Sequence, residues 1–329
     1  MDSIALYYAD ELFYELLYFI ILITLKKNQM ILRIIIVSLS ILFTSQIRSQ
    51  ELYIVSKAAA SLSKDRVEIR NNVMSYDNFK YYHNSFELNY GILGNLTLYN
   101  HIYYTTETGN KFFGNYEAEL RYRFLNIDRK NAHFRMAFQT AALIPVNAQP
   151  IVGDQVEYEL HPGHIVKFYN FVQDITVPSI DFHTTDNYTF SNSLIGTYLV
   201  NKFAATVEMG YNVNVAKKDF KFGNYYNWNL ALGLLVLPRE YKSYNDVNIN
   251  VYSESKAYYF EKNKFLGSAI VNSGGFRLDT YLGVQAIFLS SIMAELSYKI
   301  PVHSNEFAEI NYGTRTTGLL FSLRYLFFL

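Results

Sequence analysis

Three groups of residues carry side chains that could do chemistry. His161-Pro162-Gly163-His164 follows Glu157 and Glu159 and precedes Asp181, His183 and Asp186. Imidazole with carboxylate suits a divalent metal, which makes His161, His164 and His183 weak candidate ligands. Pro-Gly between the first two histidines also makes a turn, so a polar external loop is the plainer reading. His83-Asn84-Ser85 holds the residue types of a serine hydrolase, with His101 or Ser191 as further members. Neighbours on a strand point to opposite faces, so these three cannot form one triad unaided. The third group is a set of charges of mixed sign, Glu117, Glu119, Arg121, Arg123, Arg135, Glu208, Arg277, Asp279, Glu295, Lys299 and Arg324. Each stands at a polar position in an alternating run. They are expected to pair across strands, to form a constriction that screens solutes, or both. No phosphate loop, dinucleotide glycine pattern, Gly-x-Ser-x-Gly or His-Glu-x-x-His is present. Neither a catalytic residue nor a cofactor is expected.

The elements that must position these groups are strands. From Phe203 to Val215, apolar Phe203, Ala205, Val207, Met209, Tyr211 and Val213 alternate with Ala204, Thr206, Glu208, Gly210, Asn212 and Asn214. Tyr116, Ala118, Leu120, Tyr122 and Phe124 alternate with Glu117, Glu119, Arg121 and Arg123. The period is two, not 3.6. Similar runs at 67–76, 85–92, 96–106, 131–142, 188–199, 225–236, 246–256, 275–287, 292–300 and 319–329 bring the number to twelve. Most are longer than the mean globular strand of about 5–6 residues and match the roughly 9–11 of a tilted membrane strand.

Where the parity is clearest, the apolar face holds no Asp, Glu, Lys or Arg. An arginine or lysine facing lipid at mid-membrane costs about 2–4 kcal/mol, so such a face should be purged. Short links at 93–95, 126–130, 200–202, 237–244 and 288–291 alternate with long ones at 77–84, 107–115, 143–187, 216–224, 257–274 and 301–316. That is the up-and-down pattern of tight inner turns and long outer loops. The fold class expected is all-β, a single closed antiparallel transmembrane β-barrel of about twelve strands.

Composition agrees. The chain has 329 residues, 30 tyrosines, 25 phenylalanines and no cysteine. Zero cysteine excludes disulfide scaffolds, thiolate metal sites and thiol nucleophiles. Charged residues make up 18%, against roughly 25% for a soluble domain. Lysine plus arginine equals aspartate plus glutamate at 29 each, so no nucleic-acid partner is expected. Tyr103, Tyr104, Phe112, Phe113, Tyr116, Tyr225, Tyr226, Tyr241, Tyr244, Tyr258, Tyr259, Phe260 and Tyr312 fall near strand ends and suggest two interfacial girdles.

The first fifty residues read as targeting. Lys26, Lys27 and Arg33 precede the apolar stretch Ile34–Phe43 and the polar exit Ser45–Gln50, the layout of a secretory signal. Met30 is then the expected start, with residues 1–29 an upstream extension, 30–50 a signal peptide and cleavage near Gln50. Four acids and four bases lie in those fifty residues, which leaves 25 of each sign in the mature chain. Residues 51–64, with Ala58-Ala59-Ala60, are expected to fold into the lumen as a small plug, and 65–329 to form the barrel.

Gly318–Leu329 resembles the C-terminal assembly strand of bacterial outer-membrane β-barrels, although it ends in Leu329 rather than Phe. Tyr90-Gly91-Ile92-Leu93-Gly94-Asn95-Leu96-Thr97 and Leu199-Val200-Asn201-Lys202-Phe203-Ala204 are similar to turn-and-strand repeats of twelve-stranded outer-membrane transporters grouped with the phenol-degradation meta-pathway barrels. The resemblance implies envelope transport in a Gram-negative outer membrane and transfers no binding residue. Its implied partners are outer-membrane lipid, the barrel assembly machinery and a small solute. The functional expectation is a narrow channel or facilitator. The alternatives are a membrane-embedded, phospholipase-like hydrolase and a structural or surface-binding barrel.

Overall fold

Alternation with period two gives each strand one apolar and one polar face, and a sheet with a lipid-facing side must close on itself to leave no unpaired edge. The computed structural model describes the backbone of residues 53–76, 81–107, 110–146, 154–161, 164–170, 187–216, 220–238, 240, 246–271, 273–305 and 316–329, with side chains described except at 81, 105–113 and 154–170. The expected segments 1–29 and 30–50 lie outside the described residues.

The first strands are β1 (Arg66–Tyr76), β2 (Tyr81–Leu93), β3 (Leu96–Glu107), β4 (Asn110–Arg129) and β5 (Ala132–Pro145). A hairpin follows, β6 (Asp154–His161) and β7 (His164–Asn170). Next come β8 (Thr189–Val200), β9 (Phe203–Asn214), β10 (Phe220–Lys221), β11 (Tyr225–Leu237) and β12 (Asn248–Phe260). The chain continues through β13 (Lys264–Phe265), β14 (Ser268–Ala269), β15 (Gly275–Phe288), β16 (Ile292–Ser304) and β17 (Gly318–Phe328). Twelve of these close into one barrel in the order β1-β17-β16-β15-β12-β11-β9-β8-β5-β4-β3-β2. Each of the twelve matches one expected strand. β6 and β7 pair only with each other, while β10, β13 and β14 form a small sheet at the long-loop end.

Closure is made by the last strand. β17 pairs with β16 on one side and with β1 on the other, from Arg66↔Phe328 to Tyr76↔Gly318. The Leu329 N–H donates to the Asp65 carbonyl at 3.0 Å. Two expected long links shorten, because pairing in the closed sheet carries the strands past the alternating core. β2 already begins at Tyr81, and β3 and β4 run to Glu107 and from Asn110.

The faces sort as the alternation demands. Leu120, Tyr122 and Phe124 on β4 point outward and are exposed, as are Leu230, Leu232 and Leu234 on β11. Their neighbours Glu119 and Arg121 are 0% exposed, inside the barrel. The girdle expectation needs a correction. Tyr103, Tyr225, Tyr258 and Phe260 are buried on the inner side, whereas Tyr226 and Tyr259 are exposed on the outer side. The cause is parity: in Tyr225-Tyr226 and Tyr258-Tyr259, adjacent residues take opposite faces. Part of the tyrosine surplus therefore furnishes the lumen. Tyr252, for example, lies across the ring-sized gap left by its partner Gly283, where a Cβ would sit 2.3 Å from the ring.

Candidate functional site

The lumen is built around residues 53–65, which run through it before β1 begins. The Glu254 carboxylate on β12 accepts from the backbone N–H groups of Ile54 and Val55 at 3.2 Å, and from that of Ser56. Thr197 and Thr97 accept from Ala59 N–H at 2.8 Å and Leu62 N–H at 2.9 Å. Arg121 donates to the Ala58 carbonyl at 2.9 Å, Arg70 to that of Ile54, and Arg324 to that of Tyr53 at 3.3 Å. The Tyr53 hydroxyl donates to the Ala231 carbonyl at 3.4 Å. Lys57 pairs with Glu119. Ala59, packed on Ala137 and Ile195, is fully buried, and Leu62 packs on Ile287, Met293 and Leu326. The segment leaves the lumen beside Gly91, where the Ser63 carbonyl comes so close that a Cβ would lie 1.9 Å from its oxygen.

Burial disfavours the charge on Lys57, but the facing Glu119 and Glu117 outweigh it and raise its pKa above the ordinary 10.5. Many of the other inward charges meet opposite charges, while Glu208 is held by Asn229 at 2.7 Å. Arg324 reaches Glu295 at 3.3 Å and Glu68 at 3.7 Å, and Arg70 reaches Glu295 at 3.4 Å and Glu87 at 3.9 Å. Asp279 takes Arg277 at 2.8 Å and Lys299 at 3.5 Å. Arg121 holds Glu119 at 3.0 Å. Buried charges are tolerable only when paired in this way.

Of the eleven charges singled out in the sequence, nine are buried inside the barrel. Arg123 and Arg135 are not part of that interior set. They are half-buried near the short-turn rim, where Arg123 donates to the Gly94 carbonyl at 2.8 Å and Arg135 to Asn126 at 3.1 Å. The physical reason is depth: both lie at the turn end of their strands. The list also missed Glu68, Arg70, Glu87, Glu254 and Lys57. Their signal was available as Arg66/Glu68/Arg70, Ser85/Glu87/Asn89 and Glu254/Lys256, each set two residues apart on one face.

On the long-loop side of the segment lies a cavity of about 180 Å³. Ile54 to Lys57 contribute to its lining. Its walls carry Lys57, Arg70, Arg121 and Lys256 against Glu87, Glu117 and Glu208, among asparagines, serines and tyrosines. His83 and Ser85 share the inner face of β2 with Glu87, and His101 stands opposite Glu87 on β3. His101 Nδ1 is 3.6 Å from Glu87 Oε1. A serine and a histidine thus do occupy one face and nearly one depth. The Ser85 hydroxyl, however, accepts from Asn72 at 2.9 Å rather than engaging His101, so the base is not on the nucleophile. Ser191 lines the same cavity.

His161 and His164 oppose each other across the β6–β7 turn in backbone register. Their side chains, and His183 altogether, lie outside the described residues. Among the described residues no group of three or more histidines and carboxylates is placed to hold a metal ion.

No protein-family model matches the chain, and no curated protein matches it. Among solved structures, an outer-membrane channel from Pseudomonas putida F1 is similar, with a TM-score of 0.55 and 10% identity over 84% of this chain and 100% of that one. The NanC porin gives a TM-score of 0.48 at 6% identity, covering 79% of this chain and 98% of that one. The KdgM porin gives 0.41 at 8%, with the same coverage. The first of these supports the architecture, that of a twelve-stranded outer-membrane β-barrel. At such identities no function travels with the fold.

Proposed function

We propose that the chain is an outer-membrane channel or facilitator for small solutes whose lumen is held narrow by residues 53–65. The observation that carries this reading is the pairing of a polar cavity with a hydrogen-bonded segment inside a closed barrel whose outer face is apolar. Twelve strands fall between about eight, where side chains fill a barrel, and about 16–18, where a wide water channel opens. The segment takes up part of the space that this strand number leaves. Charges of both signs line the path, so discrimination between anions and cations is weak. Export through a signal peptide cleaved near Gln50 and insertion by the barrel assembly machinery belong to the same reading.

The test is single-channel recording in planar bilayers together with solute flux into vesicles, using purified, heat-modifiable protein. A small, nearly non-selective conductance is expected. Absence of both current and flux overturns the channel. Ester hydrolysis lost on Ser85→Ala would favour the hydrolase, for which the shared face of Ser85, Glu87 and His101 is the supporting observation.

A further inference from the structure

The wall addresses the main chain of residues 53–62 far more than its side chains. Five N–H groups of that stretch donate to Glu254, Thr197 and Thr97, and four of its carbonyls accept from Arg70, Arg324 and Arg121. The side chains of residues 56–61 read Ser-Lys-Ala-Ala-Ala-Ser, and within them only Lys57 makes an ion pair. All six wall residues are buried, Glu254, Arg121, Arg324 and Thr97 completely. Groups that hydrogen-bond a backbone do not depend on whose backbone it is, and specificity then comes from the pockets for side chains. Here the pockets for residues 56–61 admit alanine and serine, with Glu119 beside Glu117 as the single charged position, while Tyr53, Ile54 and Leu62 fill apolar pockets at either end. If the segment left, buried carboxylate and guanidinium groups would lose hydrogen bonds that another main chain bent in the same way replaces in kind.

We propose that the lumen is a receptor for peptides that bend as residues 54–56 do, with small side chains and one basic residue in the middle and apolar side chains at both ends, and that residues 53–62 are its tethered occupant. Such peptides are then the solute class of the channel, a step that rests on the transport reading; the binding itself does not.

The experiment uses the full chain carrying Ala59→Arg, which does not fit between Ala137 and Ile195, and separately Lys57→Glu, which meets Glu119 and Glu117. The probe is a fluorescent synthetic peptide with the sequence of residues 53–63, followed by fluorescence polarisation in detergent and by block of the single-channel current. Both variants are expected to bind it, with the unlabelled peptide of the same sequence competing. N-methylation at the positions of Val55 and Ser56 is expected to weaken binding about tenfold or more. Absence of binding in both folded variants overturns the proposal, as does equal binding of the N-methylated peptide. Binding without any current leaves the proposal standing and overturns the channel. If neither variant folds, excess peptide on the unmodified chain should expose Lys57 to trypsin, and no gain in cleavage overturns the proposal.

Discussion

Glu254 and Lys57 hold the lumenal segment from opposite directions. Glu254 accepts three consecutive backbone N–H groups, and each such group left without an acceptor costs about 1–3 kcal/mol. Glu254→Ala is therefore expected to release the segment, seen as at least about a tenfold rise in trypsin cleavage at Lys57 with the barrel still heat-modifiable. Lys57 supplies a pH dependence. Its folded pKa lies above the ordinary value because of Glu119 and Glu117, so its contribution is fully present below pH 10.5 and is lost as pH rises through the raised value. Conductance is expected to step up in that alkaline window, and Lys57→Met should abolish the step. Arg324, fully buried between Glu295 and Glu68, braces the barrel wall as well as donating to the Tyr53 carbonyl. Arg324→Met removes one cation from two buried carboxylates, leaving Glu295 to Arg70, and is expected to lower stability by about 3–5 kcal/mol in urea unfolding, with Glu295→Met in the same chain restoring part of it.

At the scale of the elements, β4, β9 and β17 were the most legible in the sequence. Over their alternating cores the outward positions are apolar and the inward ones mostly polar, charged or small, with Leu320 and Leu326 of β17 as buried exceptions, so period two fixes both strand and facing. β1, β2 and β12 were harder to sort by face, because asparagine or tyrosine stands on both sides of each. That ambiguity concealed Arg70, Glu87 and Glu254, and with them the side chains that grip the segment. It also assigned Tyr103, Tyr225 and Tyr258 to a girdle when parity turns them inward. The hydrogen bonds between the segment and seven different strands join residues up to 271 positions apart, and no local pattern encodes them. The outward face makes its own prediction. Leu194, exposed near the middle of β8, faces lipid, and Leu194→Arg should destabilise the barrel by about 2–4 kcal/mol when unfolding is measured in vesicles. Gly91 is the matching point for the segment, since any side chain there collides with the Ser63 carbonyl. Gly91→Val should raise the conductance while leaving the barrel intact.

The described residues form a closed wall and a strap through it, both from one chain. Low charge content, the aromatic surplus and the balance of 29 against 29 follow from that plan. Lipid covers the outside, so few charges are needed there, and a set of buried charges is turned inward, many of them in ion pairs. Tyrosine serves both surfaces, as an exposed ring at Tyr226 and Tyr259 and as a buried one at Tyr53, Tyr252 and Tyr281. The central claim is that residues 53–65 set the width of the lumen. Because the chain contains no cysteine, it can be tested without background thiols. Ala59 contacts Ala137 on β5, so an Ala59→Cys/Ala137→Cys pair, closed by oxidation or a short thiol crosslinker, locks the segment to the wall. Introduced together with Glu254→Ala, the locked protein should conduct no more than the unmodified chain, and reductant should raise the single-channel current to the level of Glu254→Ala alone. Equal conductance of the locked and reduced forms would contradict the account.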